Sequence, residues 1–305
     1  MAEIAELDAA PETIEASLIY LAATGEKLVT EVADPGGRDR RLSGDNSETH
    51  QVRIHNGRPL ADRFEFEREG FRFEPHRTRV ANFFDGDAIR RVYYPECEAL
   101  IKQVSGAKRV VVFDHTLRTA SEDQRAAQKI RDIVSRVHND YTEWSGPQRV
   151  RDIMGEEAEH LLQGRFAIIQ VWRPLGHPVE SHPLAICDAQ TVRPETLVVN
   201  ERRYQDRVGQ TYGITWDPAQ RWYWFPRMRP DEALVFKVYE SLRTAAPAGP
   251  PTPLSPIPGR RRTPARAKAS KYARWRFFRP AQRVDPQPQL ADVIFRVPAP
   301  DRHRR

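Results

Sequence analysis

His138 and Asp140 stand two residues apart in the stretch Val137-His138-Asn139-Asp140. In an extended segment, residues i and i+2 project from the same side of the chain, so an imidazole and a carboxylate can aim at one point. Such a pair is two thirds of the two-His-one-carboxylate face that holds non-haem Fe(II) and leaves positions open for oxygen and a co-substrate. The same spacing occurs in ordinary surface loops, so the pair alone does not specify a metal. Tyr141 follows directly as a candidate pocket wall. Gln170 is a second candidate, its strand's inward face being left open by the sequence. Arg173 could orient an anionic substrate or co-substrate through its planar fork, or pin a neighbouring carboxylate. Asp114-His115 reads as a polar pair at a strand end, and His177 and His182 as exposed loop residues around the Pro178 turn. Trp222-Tyr223-Trp224 reads as strand packing rather than a substrate cage.

The chain around these residues must supply a rigid frame. Residues 13–23 form a short apolar stretch, followed by a polar, glycine-rich connector over 33–48. Residues 51–54 and 64–73 alternate apolar with charged positions, predicting half-buried strands split by a Glu69-Gly70 turn. Asp85 then precedes Ile89, Val92, Tyr93, Cys97, Leu100, Ile101 and Val104, an amphipathic helix with an aspartate cap that ends at Gly106. Pro95 falls inside that span, where it kinks a helix or begins one. A buried strand is expected over 108–113, and a helix over 122–137 would deliver His138. A further helix over 145–162 opens with Ser145 as capping residue and an early proline, Pro147. Six strands follow, over 166–172, 183–187, 196–200, 211–216, 221–225 and 233–239. Short strands without β-α alternation favour a sandwich or barrel over a Rossmann sheet.

Several strings in this region are distinctive in their order: W-R-P-L at 172–175, P-L-A-I-C-D-A at 183–189 and R-W-Y-W-F-P-R-M at 221–228. With His138 and Asp140 they resemble the hydroxylase/desaturase-like family of aspergillic acid biosynthesis. That group includes a fungal gibberellin desaturase and a cephamycin methoxylation component once called a methyltransferase. The resemblance covers roughly residues 12–241. It implies a double-stranded β-helix (jelly-roll) oxygenase core, Fe(II) and 2-oxoglutarate as cofactors, and His138 and Asp140 as the family's H-x-D metal ligands. It also implies hydroxylation or desaturation of a small secondary metabolite.

Composition sets the remaining bounds. A chain of 305 residues can bury one substantial core. Its net charge of +6 and pI near 9.4 invite a nucleic-acid reading, but the charge is uneven. Residues 243–305 carry a net +12 and residues 1–242 a net −6. The expected organisation is a jelly-roll domain over 1–242 and a basic, Pro/Arg-rich, disordered tail over 243–305. In that tail Tyr272, Trp275 and Phe277 interleave with Arg and Lys, the pattern of a single-strand nucleic-acid binder. A methyltransferase using S-adenosylmethionine is disfavoured, because no G-x-G-type loop links a strand to a helix. Two cysteines, Cys97 and Cys187, suit a reducing compartment and read as small buried apolar residues. The acidic start lacks a leader-like pattern, and no run approaches the roughly 20 apolar residues of a membrane span. A cytoplasmic protein with a small-molecule substrate, and neither membrane nor nucleic acid as partner, is expected.

The tail is also where the resemblance stops. The family continues to a P-H-T-A-F segment bearing a second iron His, and later to R-E-S-I-E-V-R-A-L-x-F-F, whose Arg would hold the 2-oxoglutarate carboxylate. This chain instead reads P-T-P-L-S-P-I-P at 251–258 and A-K-A-S-K-Y-A-R-W-R-F-F at 267–278. With suitable codons, both strings are the family segments read one nucleotide out of frame. CCC-CAC-ACC-GCT-TTC-GCC-GAT-CCC encodes P-H-T-A-F-A-D-P and, shifted once, P-T-P-L-S-P-I-P. Arg274, Arg276 and His303 fall in this altered stretch and do not replace the lost groups. A slip between about codons 242 and 250 is therefore expected. Sequencing the DNA across residues 240–280 checks it: an inserted or deleted base supports the slip, and an intact unshifted frame removes it.

Overall fold

The computed structural model describes residues 10–32, 39–44, 46–118, 136–180, 183–205, 207–242 and 289–298. It is mainly β, as the strand-rich sequence predicts. One sheet runs β1 (Thr13–Leu21), β4 (Ser47–Asn56), β12 (Trp222–Trp224), β9 (Ala185–Cys187). A second runs β3 (Arg40–Ser43), β2 (Leu28–Glu31), β10 (Leu197–Arg203), β11 (Val208–Ile214), β7 (His138–Asn139). The third runs β5 (Phe71–Pro75), β13 (Glu232–Glu240), β8 (Phe166–Arg173), β14 (Gln289–Pro298), β6 (Val111–Arg118). Pairing is antiparallel except at β10–β2 and β12–β4.

β8 is the strand around which the third sheet is packed. All eight of its residues are buried, so both of its faces are covered. Ala167, Ile169 and Val171 turn one way, into a core with Tyr93, Cys97, Leu100 and Ile101. Ile168 and Trp172 turn the other way, against Phe71, Tyr141, Tyr223, Leu234 and Phe236. This period-2 division decides which of the candidate residues share a face. Each large aliphatic or aromatic side chain removed from water here contributes roughly 1.5–3 kcal/mol. The aromatic triplet behaves as packing: Tyr223 joins the core against β8 while Trp222 and Trp224 face a separate cluster around Tyr20, Val52 and Ile54.

The helix over the first of these cores starts as expected. The Asp85 carboxylate accepts from the N–H groups of Asp87 and Ala88 at 2.9 and 3.1 Å. A π turn, Ile89–Tyr93, then leads into α1 (Tyr94–Ser105). Pro95 has no N–H to return to the preceding turn, and the wider π turn accommodates its ring without ending the helix. Gly106, at φ 69, closes α1 in the left-handed conformation.

Three expectations are corrected. Phe64 and Phe66 are buried but not in a strand: the Glu69 carboxylate accepts from the Glu65 N–H at 2.6 Å and from Arg68, folding a local turn. The helix expected over 145–162 is divided at Gly155 (φ 52) into α2 (Ser145–Met154) and α3 (Ala158–Leu162). Its cap is Thr142 rather than Ser145, for the Thr142 hydroxyl accepts from the Ser145 N–H at 3.1 Å. Within residues 243–305, the backbone of β14 pairs with both β8 and β6. The helix expected over 122–137 and the basic segment over 243–288 lie outside the described residues, except that 136 and 137 are described and are not helical. Among the described residues, no helix is long and apolar enough to cross a membrane.

Arg58 secures the turn that feeds β13. Its guanidinium donates to both Glu232 oxygens at 2.9 and 2.7 Å and to the carbonyls of Pro226 and Arg227, and it lies over the Phe73 ring. Glu232 is only 4 % exposed. Arg58→Ala leaves that carboxylate with Arg229 alone, whose backbone N–H and guanidinium lie 2.7 and 3.2 Å from it, so chemical denaturation should show a loss of about 1.5–3 kcal/mol. A loss below about 1 kcal/mol would contradict this role.

Candidate active site

β7 pairs with β11 through Asn139↔Tyr212 and His138↔Gly213, and the chain bends at Asp140. That short extended step brings His138 and Asp140 to the same side: Nε2 and Oδ1 are 3.3 Å apart. The His138 Nδ1 lies 2.8 Å from the Arg136 carbonyl. A carbonyl only accepts, so Nδ1 carries a proton, and Nε2 is the nitrogen that faces the carboxylate. An imidazole lone pair and a carboxylate oxygen this close are the donor pair that a cation draws together.

Two buried amides hold this arrangement. Gln170, 2 % exposed on β8, donates its Nε2 to the Asp140 Oδ2. This leaves Oδ1 toward His138. Asn139 faces the opposite way from its neighbours and donates to the carbonyls of Tyr141 and Val238 at 2.8 and 2.9 Å, tying the turn to β13. Thr142 and Ser145 then exchange hydrogen bonds, and Ser145 Oγ donates to the Gln210 carbonyl at 2.8 Å. Gly146 follows because a Cβ there would meet the Tyr239 ring at 2.6 Å. The start of α2 is thereby fixed directly behind the H-x-D turn.

Tyr141 belongs to the core against β8, and its hydroxyl engages the Arg149 guanidinium from α2. Burial pushes the Tyr141 phenol up to about 12. Arg149 also lies over the Phe113 ring, 5.6 Å from its centroid. Sequence reasoning passed over both Asn139 and Arg149. The alternation that puts His138 and Asp140 on one side puts Asn139 on the other, which was a usable signal. Arg149 carried none until the position of α2 was known.

Arg173 is not brought to this site. It sits three residues from Gln170 on a strand of period 2, so it leaves β8 from the opposite face. It is fully buried, contacts His76 Nδ1, reaches the Pro230 carbonyl at 3.4 Å and lies over the Tyr93 ring. Burial and the adjacent guanidinium push His76 down to about 4. His115 is also distant in role, its Nδ1 meeting the Tyr94 hydroxyl at 2.7 Å. His177 Nδ1 is near the Pro178 carbonyl, and His182 lies outside the described residues. Cys97 is buried, and burial raises the thiols of Cys97 and Cys187 to about 12. Among the described residues, no group of three His, Cys, Asp or Glu side chains gathers to hold a metal. His138 and Asp140 bring together one imidazole and one carboxylate, two of the three donors that an Fe(II) face uses.

Residues 18–266 match the family described as oxidoreductase/YMDC permease-like domain. The chain is 33 % identical over 228 residues to the Fe(II)/2-oxoglutarate-dependent dioxygenase nvfI of Aspergillus novofumigatus, across 72 % of this chain and 80 % of that protein. It is 32 % identical over 234 residues to the hydroxylase/desaturase CTB9 of Cercospora beticola, across 69 % and 72 % respectively. The solved iron and alpha-ketoglutarate-dependent endoperoxidase NvfI superposes with a TM-score of 0.70 at 24 % identity, across 95 % of this chain and 99 % of that one. That likeness shows the fold, a jelly-roll oxygenase core. The chain belongs to this oxidoreductase family, whose matched members are Fe(II)/2-oxoglutarate dioxygenases and hydroxylase/desaturases.

Two outcomes follow from these contacts. Gln170→Leu removes the donor that aims Asp140, and Mn(II) or Fe(II) affinity should fall about 10–100-fold in equilibrium dialysis, as for other lost metal-supporting hydrogen bonds. Unchanged affinity would show that Gln170 does not support the carboxylate. His76 binds its proton less readily folded than unfolded, where its ordinary value is 6.5. Its contribution to stability is thus full above about 6.5 and drains away as pH falls toward about 4. His76→Gln keeps an acceptor for Arg173 without titrating, so urea unfolding of the variant should depend less steeply on pH across that window. Equal slopes would reject the assignment.

Proposed function

We propose that this chain is a non-haem Fe(II)/2-oxoglutarate-dependent oxidoreductase that hydroxylates or desaturates a small secondary metabolite in the cytoplasm. The observation that carries the reading is the 3.3 Å approach of His138 Nε2 to Asp140 Oδ1, backed by the buried Gln170 amide. His138 and Asp140 would hold the iron, and the iron with 2-oxoglutarate would supply the oxygen chemistry. The chain's own work is to present one imidazole and one carboxylate from a rigid turn. It also provides an aromatic wall, including Tyr141 and Phe113, against which a substrate C–H is oriented. The names of the relatives support this class, and the strings at 172–175, 183–189 and 221–228 support placing the chain near the aspergillic acid branch. The mainly antiparallel sheets give no support to an S-adenosylmethionine fold.

The slipped reading frame belongs to the same proposal. It would remove the second iron imidazole and the family's co-substrate arginine, leaving a chain of low activity beside an active in-frame version. Succinate formation from 2-oxoglutarate with Fe(II), and its uncoupled background, should be measured on this chain and on a frame-restored version. Turnover is expected in the restored version and little in this one. Absence of turnover in the restored version rejects the oxygenase reading, and equal turnover in both rejects the slip.

A further inference from the structure

We infer that Arg173 and Tyr93 form a closed site for a small monovalent anion of chloride size, on the face of β8 turned away from the metal turn. Arg173 is fully buried, yet no opposite charge accompanies it: among the described residues, no carboxylate makes an ion pair with its guanidinium. The two acids next to this cluster are engaged elsewhere. Glu96 accepts from the Thr78 hydroxyl at 2.6 Å and from Arg79, and Asp231 accepts from Arg229 at 3.0 Å. The contacts that Arg173 does make are with neutral groups. His76 Nδ1 and the Pro230 carbonyl accept from its terminal nitrogens, and its central carbon lies 5.1 Å from the Tyr93 ring centre. Burial pushes His76 down to about 4, raises the Cys97 thiol to about 12 and raises the Tyr93 phenol as well, so none of them supplies a negative charge at neutral pH.

Two polar atoms are then left over. Arg173 Nε and the Tyr93 hydroxyl are both buried without a hydrogen-bond partner, and the two groups are close enough to act on each other. A buried cation left uncompensated is strongly unfavourable, and each unbonded donor adds to the cost. A halide relieves both at once: it brings the opposite charge, accepts from N–H and O–H, and has no hydrogen of its own to satisfy. A water molecule brings no charge, and its own hydrogens would need acceptors. A larger oxyanion brings further oxygens that need donors, which the surrounding Leu100, Ile101 and Val171 do not offer. The site is independent of the iron reading, because Gln170 and Arg173 leave β8 by opposite faces.

The test is the stability of the full chain as chloride replaces gluconate at constant ionic strength, read by urea unfolding. The folding equilibrium constant should rise with chloride and, above the dissociation constant, do so about tenfold for each tenfold increase. Arg173→Met, an uncharged side chain of similar reach, should abolish the rise and leave any general salt effect as its baseline. Tyr93→Phe keeps the ring and removes one donor, so its rise should persist but need several-fold more chloride. This second variant carries the test if Arg173→Met does not fold. Crystals grown in bromide should show anomalous scattering beside Arg173 Nε and the Tyr93 hydroxyl. A native chain that responds to chloride no more than Arg173→Met, or no differently from Tyr93→Phe, overturns the proposal, and so does a bromide-grown crystal without a peak at that position.

Discussion

One contact organises the site: the buried Gln170 amide on the Asp140 carboxylate. A carboxylate on a turn that is partly open to water has several rotamers, and a single imidazole beside it would not choose among them. Gln170 comes from the middle of a strand whose every residue is buried, so its position is set by the whole third sheet. The amide can meet a carboxylate only through its nitrogen, which fixes its own orientation as well. A surface turn is thereby held to the precision of the core, as metal and catalytic groups require.

The same strand explains where the charged residues of β8 go. Gln170 and Arg173 differ by an odd number of positions and therefore leave through opposite faces. One serves the turn carrying His138 and Asp140. The other is enclosed with His76, Tyr93 and the Pro230 carbonyl beside α1. Burial, helped by the guanidinium beside it, lowers the proton affinity of His76, and the π turn before Pro95 places Tyr93 against that guanidinium. Another guanidinium, Arg149 on α2, meets Tyr141 and the Phe113 ring, because the start of that helix follows closely on the H-x-D turn.

Much of the fold was legible because its signals were local. Asp85, Gly106 and the buried run at 166–172 each act through neighbours within a few residues, and their elements form as read. The His-x-Asp spacing was legible for the same reason, as was the packing role of Trp222-Tyr223-Trp224. Phe64 and Phe66 misled because alternation of apolar and charged residues is also what a turn shows when its phenylalanines enter two different cores. Arg173 misled because nothing local tells which face of a doubly buried strand looks toward a site. Asn139 and Arg149 depend on pairings between β7, β11 and β13 that join residues 70 to 100 positions apart. The strand β14 could not be read from a proline- and arginine-rich tail, since its place is defined by β8 and β6 on either side.

Family membership and fold agree on the chemistry, and the central proposal is that His138 and Asp140 together form the metal-binding edge of this core. Electron paramagnetic resonance of the Cu(II)-loaded chain addresses it most directly, because nitrogen hyperfine splitting reports a bound imidazole. Splitting that disappears in His138→Ala, with the metal lost altogether in Asp140→Ala, is the predicted result. A spectrum unchanged by both substitutions would contradict the account.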